Sequence, residues 1–432
     1  MKKYIKLAFI ILSCVSMKAQ QIPASKQAKP TLILNATAHL GNGEVIENSV
    51  IGFKEGKLTI VADATTIRLD MSAYENVIDA KGKHVYPGFI APNSTIGLVE
   101  IDAVKASDDE REIGGMTPNV RSLIAYNSES RIIETARLNG VLLAQITPRG
   151  GRITGTSSIV HFDAWTWEDA IIKENDGIHL NFPTTFKRSG WWAEPGTIES
   201  NKDYTKQVDE INSFFGKSRV YLAEPSSVKN LIYESMKGLF DGSQILYINA
   251  NEEKQLIDAI RIGKENGVKR MVVIGGYQAV KVVDLLKANQ IGVLIGRVHE
   301  LPRLDQDDID QPFKLAKSLT DLGILVGLEN SGDMERMNVR NLPFQAGTTV
   351  AYGLTKEDAL KTITLNTAKI LGIDKQVGSL EVGKDATLFI SFGDALDMRT
   401  NQISKAFIQG RDIVLESHQT ELYKKYKEKY NQ

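Results

Sequence analysis

Residues 85–100, VYPGFIAPNSTIGLVE, carry the reading that decides the fold. The run 85–90 is short, apolar and punctuated by Pro87 and Gly88, so it reads as a buried strand; the polar Asn93, Ser94 and Thr95 follow it as a loop. Before this stretch the chain alternates β-rich runs with turn signals: TLILNATAHL from Thr31, the turn Gly41-Asn42-Gly43, SVIGFKEGKLTIVA from Ser49 and VIDAKGK from Val77. After it the pattern becomes strand, loop, helix, repeated.

The expected strands are 85–90, 141–146, 159–162, 178–181, 245–249, 271–274, 293–295 and 324–328. Between them lie amphipathic patterns such as SRIIETARLNG, EEKQLIDAIRIGKENG, AVKVVDLLKANQ and PFKLAKSLTDLG, several ending in Asn-Gly or Gly stop signals. Near-continuously apolar strands separated by such helices imply a parallel sheet covered by helices. Eight units of this kind form a (β/α)8 TIM barrel. Residues 189–241, with WWAEPG and no strand signal, read as an inserted helical excursion. Two helices at 339–352 and 356–371 follow. The chain then returns to β character in GSLEVGKDATLFIS and ISKAFIQGRDIVL, and YKKYKEKY ends it as a solvated helix or tail.

The β-rich runs at the two chain ends each need a partner, and pairing them into one discontinuous small domain satisfies both. The expected organisation is a leader at 1–20, a β-sandwich from 30–84 and 376–416, a barrel from 85–375 and a tail from 417–432. In the leader, Lys2, Lys3 and Lys6 precede an apolar run from Leu7 to Val15 and then Ser16, Ala19 and Gln20, the layout of a secretory signal peptide. That places the protein in a bacterial periplasm or outside the cell. Cys14, the only cysteine, falls inside this segment, so the remaining chain offers no disulfide or Cys metal ligand; a lipoprotein reading fits less well because Leu12 stands where a small residue belongs. With 52 Lys plus Arg against 53 Asp plus Glu, nothing indicates a grip on nucleic acid. No run after the leader is long and apolar enough to span a bilayer. Small molecules or proteins are the expected ligands.

Three segments, GKHVYPGFI at 82–90, YGLTKEDALKTITLNTAKILGI at 352–373 and GSLEVGKDATLFI at 378–390, resemble in order and spacing the signatures of the amidohydrolase superfamily, most of all its imidazolonepropionase-related branch. The resemblance implies a distorted (β/α)8 barrel with a β-sandwich built from both chain ends. It also implies hydrolysis of C–N bonds in small cyclic or acyclic amides by zinc or another divalent metal at the barrel mouth. A metal lowers the pKa of bound water and polarises the carbonyl, and an aspartate takes the proton.

The ligand positions implied by the resemblance carry other residues. The His-x-His pair falls on Asn93 and Thr95, one middle-strand histidine on Asn249, the next near Gly275 or Gly276, and the aspartate on Ser331 or Asn330, with Glu329 and Asp333 adjacent. Neutral amide and hydroxyl oxygens do not replace imidazoles around a zinc-like ion, so no metal ligand and no cofactor are expected.

Of the six histidines, His39, His84, His161 and His418 read as structural or solvated, whereas His179 and His299 sit near strand C-terminal ends, where function concentrates in a barrel. The loop TPRGGRITGTSS at 147–158 offers Arg149, Arg152 and glycine amides to an anion, or else is a tight turn. Trp165, Trp167, Trp191 and Trp192 read as packing residues or as an aromatic wall over the cavity or a partner surface, and DDERE at 108–112 as a solvated loop or helix start.

Two functional readings remain open. In one, a hydrolase uses Glu329 or Asp333 as base and His179 or His299 as acid or base partner, with Arg149 and Arg152 anchoring a substrate carboxylate and Asn93, Thr95, Asn249 and Ser331 lining the substrate site. In the other, a pseudoenzyme keeps the cavity for binding a small molecule, or supports an active paralogue or a homo-oligomer.

Overall fold

The computed structural model describes residues 22–431, apart from Trp192, residues 225–227 and Asp305; the leader and Cys14 lie outside the described residues. The chain opens with β1 (Thr31–His39), β2 (Val45–Lys54), β3 (Lys57–Asp63), β4 (Asn76–Asp79) and β5 (His84–Pro87). Strand β1 pairs antiparallel with β2 on one edge, while its other edge is shared in parallel by β4 and then β5, so the sheet forks there.

The strand expected at 85–90 is two strands. Gly88 divides β5 from β6 (Phe89–Ser94), and each half joins a different sheet. A Cβ at Gly88 would lie 2.9 Å from the Thr387 side chain and 3.0 Å from Leu142, so the two sheets meet too closely here for any side chain.

The second sheet is the barrel. It runs from β6 through β7 (Val141–Ile146), β8 (Ile153–His161) and β9 (Ile171–Asn181), then β12 (Ile245–Ala250), β13 (Met271–Gly275), β14 (Gly292–Ile295) and β15 (Val326–Leu328). The expectation of an all-parallel sheet is corrected: β7–β8 and β8–β9 are antiparallel and the other pairs parallel. Residues 147–152 are too few for a helical crossover, so the chain can only return as a hairpin.

Strands β6 and β15 end the order without pairing to each other. The seam is bridged by backbone: Leu328 N–H donates to the Thr362 carbonyl and Ile90 N–H to that of Ile363. Turning those carbonyls into the barrel breaks the helix expected at 356–371 into Lys356–Lys361 and Leu365–Leu371.

Inside the insertion, the expected strand-free segment contains a hairpin, β10 (Phe186–Trp191) with β11 (Glu194–Ser200), before the helix Tyr204–Ala223. Gly190 and Gly196 conceal the β signal in both strands.

The last strands, β16 (Leu388–Ser391), β17 (Ile403–Ile408) and β18 (Arg411–Asp412), return to the first sheet, with β16 antiparallel to β5. Ile33, Ile51, Phe53, Val85, Leu388 and Phe407 from both chain ends share one core there. The final helix, His418–Lys429, buries no residue: Leu422, Tyr423 and Tyr426 all stand exposed among its lysines.

Candidate functional site

Polar residues fill the barrel axis in two layers. The lower one is Gln145 on β7, Ser157 on β8, Asp176 and His179 on β9 and Tyr247 on β12, all fully buried. Asp176 accepts from Gln145 Nε2 (2.8 Å), Ser157 Oγ (2.7 Å) and the Tyr247 hydroxyl (2.7 Å). These three neutral donors satisfy a carboxylate that burial alone would penalise. His179 Nε2 lies 2.9 Å from Ser157 Oγ and its ring stacks on Tyr247. Because the Ser157 hydroxyl already donates to Asp176, His179 Nε2 is the donor, and Nδ1 is left without a partner.

The upper layer follows from strand period. Asn181 lies two residues beyond His179 and Asn249 two beyond Tyr247, so both face the axis one step nearer the mouth. Asn249 Nδ2 donates to Asn181 Oδ1 at 3.0 Å, and Asn181 Nδ2 reaches the carbonyls of Gly150 and Gly151.

Asn93 sits at a bulge near the end of β6, with φ of 51°, a left-handed conformation that asparagine tolerates better than most residues. Its N–H donates to Gln145 Oε1, tying the upper layer to the lower. Arg149 then grips it: Nη1 donates to Asn93 Oδ1 at 2.9 Å, and Nη2 to the Asn93 carbonyl at 2.7 Å and to Glu335 Oε1 at 2.8 Å. Three bonds leave two of the five guanidinium N–H groups uncommitted.

Glu329, just past β15, is buried and accepts from Asn93 Nδ2 (3.2 Å), Ser331 N–H (2.6 Å) and Ser331 Oγ (2.9 Å). Burial pushes its carboxyl up to about 7 against the downward pull of the Ser331 bonds; Glu335 adds a further push upward that Arg149 opposes.

Above these residues opens a cavity of about 340 Å³. Its walls include Asn93, Arg149, Asn181, Asn249 and Ser331, together with Thr154, Asp333, Glu335 and Arg336. Thr154 Oγ1 is buried without a partner.

Several sequence expectations change here. His179 is fully buried and is not among the lining residues; burial and the Arg149 charge hold its pKa well below the usual imidazole value. His299 is exposed outside the cavity, 2.7 Å from Thr348 Oγ1. Arg152 points to the Asn181 carbonyl rather than into the cavity, whereas Arg149 lines it and keeps two N–H groups beyond its bonds to Asn93 and Glu335.

Thr95 is buried beneath the wall, its N–H donating to Glu335 and its hydroxyl unpartnered. Asp333 does line the cavity with its carboxylate exposed, while its backbone carbonyl accepts from Arg297.

The loop expected at 147–158 ends at Arg152, since Ile153 already belongs to β8. Its Arg149 and Arg152 amides are taken by the carbonyls of Glu110 and Gly115, which braces the turn. Through that bracing Glu110 and Arg111, expected to be solvated, become cavity wall. Among the described residues no tryptophan lines the cavity, and Trp192 lies outside them.

Sequence reasoning missed Asn181, Glu335 and Arg336. Strand period could have found Asn181; nothing local marks the other two.

The positions where the resemblance implies metal ligands do not fit a divalent ion. Both oxygens of Asn93 already accept from a guanidinium, whose charge repels a second cation at that spot. Ser331 Oγ is committed to Glu329. A Cβ on Gly275 would lie 2.5 Å from Asn251 Oδ1, so that position has no room for a side chain. Among the described residues no group of three or more His, Cys, Asp or Glu is placed to hold a metal.

A model described as the amidohydrolase family matches residues 229–412. The imidazolonepropionase of Geobacillus kaustophilus (strain HTA426) is 25% identical over 419 residues, covering 85% of this chain and 88% of that protein. The imidazolonepropionase of Geobacillus sp. (strain WCH70) is 23% identical over 392 residues, 80% of this chain and 84% of that one. Among solved structures, an amidohydrolase from Thermotoga maritima MSB8 superposes with a TM-score of 0.75 at 24% identity, covering 89% of this chain and 99% of that one.

Proposed function

Because the chain belongs to the amidohydrolase superfamily, among the relatives of the imidazolonepropionases, we propose that its cavity takes a small amide or cyclic amide and acts on it without a divalent metal. One observation carries this reading: the Arg149 guanidinium holds both oxygens of Asn93, so a fixed protein cation stands where metal-dependent chemistry would need open ligands. The two uncommitted N–H groups of Arg149 suit an amide carbonyl, and the Asn249 carboxamide on the same cavity wall suits the rest of a planar amide. The basic, apolar, then small layout of residues 2–20 supports export, which would put this site in the periplasm.

The test is metal content together with ligand binding. Protein purified from cells grown with zinc, manganese and iron is expected to hold far less than one transition metal per chain and to melt at the same temperature in chelator or in zinc. At least one member of a panel of small linear and cyclic amides is expected to raise Tm. One tightly held transition metal per chain, or a panel in which nothing binds, would overturn the reading.

A further inference from the structure

We propose that Ser331 and Glu329 form a nucleophile and base pair, giving this barrel a serine-type acyl transfer to small amides and esters. The proposal deepens the reading above, since it places the chemistry in the same cavity.

Ser331 lines the cavity, and its Oγ donates to Glu329 Oε1 at 2.9 Å, within the range of a nucleophile and its base. The base is in turn oriented. Its other oxygen accepts from Asn93 Nδ2 and from the Ser331 N–H, so the carboxylate cannot rotate away from the hydroxyl. Arg149 faces the same cavity with a fixed positive charge and uncommitted N–H groups, the kind of donor that stabilises a developing oxyanion.

A carboxylate is ordinarily too weak a base for serine. Burial corrects that, because a carboxyl raised to about 7 has the proton affinity of an imidazole, the base that serine hydrolases commonly use. Asp333 does not serve in this role, since its carboxylate is exposed on the cavity wall and makes no bond to Ser331.

Ser331 Oγ forms a bond to the acyl carbon while its proton passes to Glu329, and the carbonyl oxygen becomes an oxyanion facing Arg149. Collapse breaks the C–N bond, and Glu329 returns the proton to the departing amine. Water then attacks the acyl-serine, giving a proton to Glu329; collapse breaks the bond from the acyl carbon to Oγ, Glu329 returns that proton to the Ser331 oxygen, and the carboxylic acid leaves.

A fluorophosphonate tests the first step apart from amide binding, because it reports only the activated hydroxyl: the Ser331 oxygen bonds to phosphorus, fluoride leaves, and the proton goes to Glu329. The folded full chain is expected to label at Ser331, located by peptide mass spectrometry, with a rate that rises with pH around a midpoint of about 7. Ser331→Ala should abolish labelling. Glu329→Gln should slow it by at least about tenfold and remove the pH dependence, since general-base assistance is worth roughly that or more. Circular dichroism and Tm confirm that each variant is folded, and Ser331→Thr, which keeps the hydroxyl, provides a second comparison that should retain slow labelling. A folded parent that does not label, labelling that persists in Ser331→Ala, or a pH profile unchanged by Glu329→Gln would each overturn the pair. Labelling at Ser331 with no amide ligand found would leave this proposal standing and remove the amide reading instead.

Discussion

Replacing Glu329 by glutamine should change how stability depends on pH, in a direction the structure fixes. The carboxyl is raised from 4.5 to about 7 on folding. Below pH 4.5 it is protonated in both states and has no differential effect. Between 4.5 and 7 the unfolded chain ionises while the folded one stays protonated, so the folded state loses stability as pH rises. Above about 7 the loss is complete, and a shift of roughly 2.5 units at about 1.36 kcal/mol each amounts to about 3 kcal/mol.

Glutamine is isosteric and never ionises. Its carbonyl can accept from Asn93 Nδ2 and Ser331 N–H while its amide donates to Ser331 Oγ, so the local bonds survive. The difference in unfolding free energy, variant minus parent, should therefore move in the variant's favour by about 3 kcal/mol between pH 4.5 and about pH 8. Urea unfolding at several pH values measures it. Difference curves flat to within about 0.5 kcal/mol would refute the raised carboxyl and the burial said to cause it.

Three further outcomes test neighbouring parts of the structure. His161 is held down from 6.5 to about 4, first by burial and then by the Arg411 charge, so it has the opposite sign: stability falls as pH drops from 6.5 towards 4, by about 3 kcal/mol in full, and His161→Gln should flatten that slope. Asn93→Ala removes the oxygen that holds Arg149 and the amide that holds Glu329, and puts alanine at φ of 51°; a loss of about 2–4 kcal/mol is expected in urea unfolding, the same in chelator as in zinc. Gly275→Ala adds a Cβ 2.5 Å from Asn251 Oδ1 at a φ of +89°, and should lower stability by about 1–3 kcal/mol, whereas Gly82→Ala, with no atom within 4 Å, should show only the milder strain of its positive φ.

Sequence by itself determined the barrel and the end sheet, because both rest on signals written locally. Strand and helix periods mark the units, and the β-rich runs at the two ends lack partners nearby. The resemblance of three segments to the amidohydrolases implied that Asn93, Thr95 and Asn249 stand at ligand positions, and residue type alone makes their neutral oxygens weak ligands.

What it could not give was direction and company. The antiparallel turn of β8 depends on how few residues separate it from β7, and the split at Gly88 depends on Leu142 and Thr387 crowding from elsewhere in the chain. His179 and Arg152 looked like site residues because strand ends and glycine loops favour function, yet His179 is buried one layer below the cavity and Arg152 turns to the Asn181 carbonyl, so neither lines it.

Glu335, in a short helix after β15, joins the site only when the barrel brings it to within 2.8 Å of Arg149. The raised carboxyl of Glu329 likewise comes from desolvation, which no residue possesses alone. Chemistry of this kind is set by what packs around a group, and only the tertiary structure supplies that.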